Sequence, residues 1–233
     1  MRDLTFQKVL QTVTVPLAGA ELGDRAQTPD GRQWVYVKAN EAISKGHIAT
    51  RIANTDVDTV SSANDGDGNR TRVTEASAGW TAGQFQFAYG LVDDGTGEGQ
   101  YFKVEDNTAD TLRLFSDYKL TTALDVADSD IVLVRPFLAE KVAITTLNQI
   151  LLGVAQVAFA ANDYGWLLTR GVGGVIAGDV VVANELITTG DDTEGEGVNV
   201  TAGETVDDIS SIGRVLVANT TVDKAALVEV NIW

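Results

Sequence analysis

Short runs of β-branched, aromatic or alternating residues, separated by glycine-rich turns, divide this chain along its whole length. Its 233 residues include 23 glycines but only 3 prolines. Runs of four to eight such residues bounded by turn residues are typical of β-strands. The pattern therefore predicts an all-β fold, built of two sandwich-like or barrel-like modules with long loops.

Alternation of side chains identifies the clearest strands. Phe85, Phe87 and Tyr89 alternate with other residues, and residues 226–232 alternate apolar with polar side chains. This period of two indicates a strand buried on one face. The predicted strands are residues 33–38, 85–89, 100–105, 111–115, 131–135, 153–159, 165–170, 214–217 and 226–232.

Helical patterns are scarce. Residues 141–152 are long enough for a helix, but their valine, isoleucine and threonine content favours a strand. A single helical turn is predicted near residues 206–210.

An internal echo predicts how the modules divide. Trp34 and Trp166, 132 positions apart, are each followed by a basic residue, a glycine and a β-branched residue at the same spacing. The matched pairs are Lys38 and Arg170, Gly46 and Gly178, Ile48 and Val180. We interpret the match as a duplication, although reuse of a common turn unit is the alternative. The predicted modules are residues 1–138, with an N-terminal arm and inserted hairpins, and residues 139–233.

Composition excludes several classes of protein. The chain has no cysteine, which rules out disulfides, thiolate metal sites and cysteine nucleophiles. No apolar run approaches the length of a membrane span, and the first residues lack an export signal. The net charge of −16 opposes binding to nucleic acid, which requires neutralisation of phosphates. The same charge either keeps the protein soluble or complements a basic patch on a partner.

Two polar stretches are predicted to be exposed loops. Residues 55–72 are rich in glycine, aspartate and serine, and residues 188–208 contain no basic residue. The acids of the second stretch, which we name the acidic tract, should hold it open in solvent because like charges repel. They are Asp191, Asp192, Glu194, Glu196, Glu204, Asp207 and Asp208.

The chain shows weak signals of catalysis or cofactor binding, and each has a simpler structural explanation. His47 is the only histidine and follows a turn glycine, and no nucleophile elbow is present for it to serve. Asp65, Asp67 and Asn69 alternate like calcium ligands, but Ala76 occupies the twelfth position, where a calcium loop needs an acid. The glycine-rich residues 91–100 lack the lysine of a phosphate-binding loop and predict a wide hairpin instead.

We therefore predict no catalytic, cofactor-binding or metal-binding residues and no enzymatic activity. A hydrolase that uses two carboxylates is the enzyme alternative, because acids are plentiful. It is disfavoured because the tryptophans occur in apolar or strand contexts typical of a core or a subunit contact. These tryptophans are Trp34, Trp80, Trp166 and Trp233.

Several strand-and-turn motifs resemble a module of tailed-bacteriophage structural proteins. Three of these motifs lie between residues 90 and 124: GLVDDGTGEGQYFKV (90–104), NTADTLRL (107–114) and LTTAL (120–124). Three more lie between residues 153 and 217: GVAQV (153–157), YGWLLTRG (164–171) and IGRVLV (212–217). The resemblance covers roughly residues 85–233. These motifs are scaffold positions, so no functional residue is carried over from the family.

The resemblance implies a virion protein made in the host cytoplasm, most similar to capsid decoration proteins that cement the outside of the head. Its expected partners are the major capsid protein and further copies of itself, in a trimer. A tail or baseplate component and a module that binds carbohydrate on the host surface are the alternatives. An exposed line of aromatic residues on one sheet face would favour the carbohydrate-binding module.

The N-terminal residues 1–16 alternate apolar and polar side chains. Such a segment either adds a strand to a neighbouring subunit or forms the first strand of its own sheet.

Overall fold

The computed structural model covers the chain and describes residues 2–3, 5–53, 55–57, 70–75, 78–135, 137–141, 150–189, 194–199 and 211–232. Strands make up 47% of the protein and helix 3%, which confirms the predicted all-β class. The chain forms two compact units. The first unit combines Met1–Ile52 with Phe137–Trp233, and the second unit is Ala53–Pro136.

Seventeen strands and two short helical segments are described. In chain order they are β1 (Arg2–Asp3), α1 (Phe6–Val9), β2 (Arg25–Gln27), β3 (Gln33–Ala39), β4 (Ile48–Arg51), β5 (Thr55–Val57), β6 (Arg72–Thr74), β7 (Tyr89–Asp94), β8 (Tyr101–Asn107), β9 (Thr111–Leu114), the 3₁₀ turn η1 (Ser116–Tyr118), β10 (Asp130–Val134), β11 (Leu138–Lys141), β12 (Leu151–Ala155), β13 (Tyr164–Ala177), β14 (Leu186–Thr189), β15 (Gly197–Asn199), β16 (Ser211–Val217) and β17 (Lys224–Asn231).

A closed five-stranded barrel lies at the centre of the first unit. Its strands follow the order β3-β11-β4-β12-β13, and an antiparallel pairing of β13 with β3 closes the ring. Closure removes free strand edges, and a barrel of this size is filled by its own side chains. The interior residues are Val35, Val37, Ala39, Ile43, Ala49, Ala139, Leu152, Ala155, Phe159 and Leu167.

The long strand β13 also belongs to a second ring of hydrogen-bonded neighbours. Its first half pairs with β3 and its second half with β17, and the ring continues through β16, β14 and β15. Gly171, where the neighbours change, has a φ of +108°, and a Cβ there would lie 2.6 Å from the Arg32 side chain. Glycine is required at this position because other residues rarely adopt such a φ.

A second core of the first unit packs against the other faces of these strands. It holds both tryptophans of the echo, so β3 is buried on both faces rather than on one. Its buried members are Val9, Ala26, Trp34, Tyr36, Ile48, Leu151, Val154, Trp166, Leu168, Val175, Ala177, Val181, Ile187, Ile212, Val215, Ala226, Val228 and Val230.

The predicted division into residues 1–138 and 139–233 differs from these units. Leu168 of β13 pairs with Trp34 of β3, and Trp166 pairs with Tyr36. The two echo segments therefore lie side by side in one barrel. Adding 132 to the numbers of Trp34 and Tyr36 gives Trp166 and Leu168, so the two residue pairs are equivalent under the echo. This register is the one that a local two-fold axis between β3 and β13 would produce. The pairing joins the two ends of the chain, and residues 53–136 form a separate unit between them.

The second unit is an antiparallel sheet in the order β5-β10-β7-β8-β9-β6. Its inner face and the adjoining loops bury one apolar cluster. The members are Val73, Phe85, Ala88, Val92, Phe102, Val104, Leu112, Leu114, Leu120, Leu124, Ile131 and Leu133.

Some local predictions need correction. Residues 85–89 are not a strand: β7 begins only at Tyr89, and Phe87 has a φ of +65° that ends any extended run. Residues 1–16 contain α1, which the alternation did not predict. Val13 exchanges backbone hydrogen bonds with Tyr164 of the same chain, so this part of the segment pairs with its own sheet. Residues 142–149 and 206–210 lie outside the described residues, so the interpretations made for them stay predictions.

Candidate interaction surface

The outward face of the second unit's sheet carries a concentration of large apolar side chains. Strands β7, β8 and β10 alternate buried and accessible residues, so one set of side chains fills the core and the other points away from it. We name the outward set, with the loop aromatics beside it, the aromatic face. Its members are Phe87, Tyr89, Leu91, Tyr101, Lys103, Phe115, Tyr118, Val132 and Val134.

Strand register arranges this face in two rows. Leu91 pairs with Val132 on one side and with Tyr101 on the other. In the second row, Tyr89 lies between Val134 and Lys103. Side chains directly opposite each other in an antiparallel sheet stand about 5 Å apart, so each row is a continuous strip across three strands.

The aromatic face remains accessible to solvent. Tyr101 is 68% exposed, Leu91 43% and Tyr89 39%. Exposed apolar side chains scattered singly are normal, but a contiguous patch is typical of an interaction site. Tyrosine suits such a site because its ring is apolar and its hydroxyl tolerates water.

Ring contacts hold the face together. The ammonium of Lys103 lies 5.4 to 5.9 Å from the ring centres of Phe87, Tyr89 and Phe115, within the range of a cation–π interaction. Phe87 and Phe115 stack with centroids 6.1 Å apart. Tyr101 meets Tyr118 edge to face at 6.2 Å. These contacts link neighbouring rings across the face.

Charged side chains surround the apolar rows. Asp93, Asp94 and Asp117 are exposed at the margins of the sheet. Glu105 pairs with Arg113 at 3.1 Å, with both side chains about half exposed. An apolar centre with a charged rim is the usual anatomy of a protein interface. This arrangement can bind a ligand by burial and stacking.

The glycine-rich residues 91–100 form the hairpin that joins β7 to β8, as the sequence predicts. The backbone N–H and the hydroxyl of Thr96 both donate to the Asp128 carboxylate, at 3.0 and 3.1 Å. An acid from the segment before β10 therefore occupies donors of this loop that an anion such as phosphate would otherwise meet.

His47 directly precedes β4, and its imidazole lies against Gly195. It is half-buried, and its Nδ1 has no hydrogen-bond partner. Burial lowers the pKa of this imidazole, and the nearby ammonium of Lys141 lowers it further. Lys141 forms an ion pair with Glu194 at 3.0 Å. The prediction that His47 is not catalytic stays a prediction.

The acidic tract is described only in part. Asp65, Asp67 and Asn69 of the calcium-like motif also lie outside the described residues. Within the tract, Glu196 corrects the expectation of a solvent-exposed segment, because this residue is only 6% exposed and its Oε2 has no hydrogen-bond partner. Burial, and then the charge of Asp223, raise the pKa of this carboxyl group.

The remaining features give no assignment of a site. In the part of the chain that the structure describes, no three histidine, cysteine or acidic residues are grouped to hold a metal ion. No helix among the described residues has the length and apolarity to cross a membrane. Comparisons with protein families, with characterised proteins and with solved structures give no match to this chain.

The aromatic face was within reach of sequence analysis but was not identified. Tyr89 and Leu91 alternate with Gly90 and Val92. Both sets are compatible with a core, so the alternation alone does not tell which set points outward.

Proposed function

We propose that this protein is non-enzymatic and attaches to another protein surface through the aromatic face of its second unit. The observation that supports this function is the exposed two-row apolar strip made by Leu91, Tyr101, Tyr89 and their neighbours, whose rings contact one another and Lys103. Interfaces are enriched in tyrosine and phenylalanine, and a few such residues dominate their binding energy.

The specific form of the proposal is a decoration protein on the head of a tailed bacteriophage, bound to the major capsid protein and assembled as a trimer. Its support is the resemblance of the strand-and-turn motifs between residues 85 and 233, which includes β7 and β8 of the aromatic face. The net charge of −16 favours a partner with a basic surface, since like charges would repel an acidic one. Attachment across several shell subunits stabilises a shell by linkage, because the protein binds only the assembled state.

Purified protein added to undecorated heads tests this form directly. The expected result is saturable binding to assembled heads, little binding to isolated shell subunits, and a shell melting temperature that rises with the concentration of free protein. Binding to purified tails and not to heads would replace the decoration role with a tail or baseplate role.

A second function is favoured by the aromatic rings themselves. Tyr89 and Tyr101 expose flat apolar rings on one sheet face, with Asp93 and Asp94 nearby to accept hydrogen bonds from hydroxyl groups. The apolar face of a sugar ring stacks on such a surface. Retention on an insoluble polysaccharide that soluble oligosaccharide reverses, with no binding to heads, would establish the carbohydrate-binding module instead.

A further inference from the structure

A polar cleft of about 390 Å³ lies in the first unit, where β13, β17 and β16 run side by side. Clefts that bind small molecules usually measure about 300 to 1,000 Å³, so a small ligand fits this one. Arg170 and Arg214 are the cations of its wall, and Glu229 is the one described acid. The lining residues are Gly31, Arg170, Gly171, Leu186, Ser211, Gly213, Arg214, Glu229, Val230 and Asn231.

Strand register puts the polar side chains of this cleft on one face of the sheet. Arg170 pairs with Asn231, and Arg214 pairs with Glu229. Residues directly opposite each other in an antiparallel sheet share a face, as do residues two apart on one strand. Asn231 and Glu229 are two apart on β17, and all four residues are exposed. The two arginines therefore extend into solvent from the same face.

The two guanidinium groups are close enough to meet at one ligand. Neighbouring strands lie about 5 Å apart, so β13 and β16 are about 10 Å apart across β17. The pairing offsets Arg170 from Arg214 by two residues, which is about 7 Å along the strands. Their Cα atoms are thus about 12 Å apart, and two long arginine side chains can close that distance around a small group between them.

Neither arginine has a partner of opposite charge in the described part of the chain. No ion pair or side-chain hydrogen bond of Arg170 or Arg214 is present there, although the chain carries 33 acidic and only 17 basic residues. Glu229 lies directly opposite Arg214 and still forms no ion pair with it. The positive charges on this face repel each other, and an anion between them would remove that repulsion.

We propose that this cleft binds a small oxyanion, either a phosphate group or a carboxylate, between the guanidinium groups of Arg170 and Arg214. A guanidinium donates parallel N–H bonds that match the oxygens of both anions, so the arginines select an oxyanion over a neutral ligand. Ser211 and Asn231 bring a hydroxyl and an amide that can donate to the same oxygens. Glu229 limits the affinity, because its carboxylate repels the ligand.

This inference goes beyond the proposed function. The cleft belongs to the first unit and binds through charge, whereas the aromatic face belongs to the second unit and binds through apolar burial. Loss of either activity therefore leaves the other intact. Because salt screens exposed charges, the affinity of the cleft for its anion should fall as sodium chloride is added.

Titration calorimetry of the full chain tests the cleft with three probes. Inorganic phosphate and glucuronate supply the two kinds of oxyanion, and glucose is the neutral control for the sugar ring of glucuronate. Phosphate, glucuronate or both should bind saturably at millimolar concentration, and glucose should not bind. The oxyanion that binds more tightly identifies the group that the cleft prefers.

Substitutions on the exposed face separate the charges without disturbing the core. Arg170→Gln and Arg214→Gln should each weaken binding about tenfold or more, since a hydrogen bond between charged groups is lost. Glu229→Gln should strengthen binding severalfold, because it removes the repelling carboxylate. Lys224→Gln removes the same charge as the arginine variants at the other end of β17, and should leave the affinity nearly unchanged.

Three results would overturn the proposal. The first is that neither phosphate nor glucuronate binds at millimolar concentration. The second is that Arg170→Gln and Arg214→Gln bind the anion as tightly as the unaltered chain, or lose no more affinity than Lys224→Gln. The third is that glucose binds as tightly as glucuronate, which would show that the carboxylate is not recognised.

Discussion

The two units of this protein differ in how their β-sheets end and in where their aromatic side chains lie. In the first unit the strands close into rings, and Trp34 and Trp166 are buried between them. In the second unit the sheet stays open, and aromatic residues such as Tyr101 stand on its accessible face. An aromatic side chain therefore stabilises the fold in one unit and is available for binding in the other.

The largest expected effect is on the free energy of unfolding, and it compares a buried aromatic residue with an exposed one. Trp34→Ala should lower the free energy of unfolding by about 3 to 5 kcal/mol, because it leaves a large cavity and removes the bond to Thr28. Tyr101→Ala, its counterpart on the aromatic face, should change that free energy by no more than about 0.5 kcal/mol. Urea unfolding followed by circular dichroism measures both. Similar losses in the two variants would show that the aromatic face is a structural surface.

A smaller effect concerns buried polar groups in the second unit. Asn107 accepts from the Phe85 N–H at 2.7 Å and donates to the carbonyls of Thr81 and Thr108. Asn107→Ala should cost about 2 to 3 kcal/mol in urea unfolding, because it leaves a buried N–H without an acceptor. Glu105→Ala, two positions earlier on β8, is the control and should cost far less, because it removes only an ion pair between half-exposed side chains. A loss below about 0.5 kcal/mol for Asn107→Ala would contradict this account.

Glu196 in the first unit is the opposite case, a buried polar group without a partner for Oε2. Burial raises the pKa of its carboxyl group, so the folded state retains the proton to higher pH than the unfolded state does. Its stabilising effect is thus present below the ordinary glutamate pKa and is lost as pH rises through the folded pKa. Glu196→Gln should therefore raise stability at pH 7 by about 1 kcal/mol, with little change at pH 4. Thermal melting at both pH values tests the sign, and destabilisation at pH 7 would contradict it.

His47 should give the smallest effect, with the opposite dependence on pH. Burial lowers the pKa of the imidazole, so the unfolded state binds the proton more readily. Stability should be complete above the ordinary histidine pKa and fall as pH drops through it. The unaltered chain should therefore lose stability between pH 7 and pH 5, and His47→Gln should remove the part of this loss that is due to His47. The loss should persist in Lys45→Gln, a nearby exposed control, and an unchanged pH profile in His47→Gln would exclude this role.

The sequence predicted the strands better than their arrangement. Phe102 and Val104 alternate with accessible neighbours, and the strand predicted there is β8. The pairing of Trp34 with Leu168 joins positions far apart in the chain, and no local pattern encodes which distant strands meet. The echo indicated a relation between the two strands, but two copies of a motif can form two modules or pair within one.

The aromatic face shows a second limit of sequence analysis. Residues 85–89 had the alternation of a strand, yet the left-handed backbone of Phe87 ends the extended run and turns its ring toward Lys103. Backbone conformation at one residue thus accounts for the position of the Phe87 ring beside Lys103. Neither propensity nor periodicity specifies such a conformation for phenylalanine, which rarely adopts it.

The most direct test of the account is the number of copies bound per undecorated head by three proteins: the unaltered chain, the double variant Leu91→Ser with Tyr101→Ser, and the control Val217→Ser. Val217 is an exposed apolar residue of β16 in the first unit. The account predicts saturable binding by the unaltered chain and the control, and a loss of about a hundredfold or more in affinity for the double variant, since two central contacts of the interface disappear. Equal binding by the double variant, with its fold intact by circular dichroism, would contradict the assignment of the aromatic face as the attachment surface.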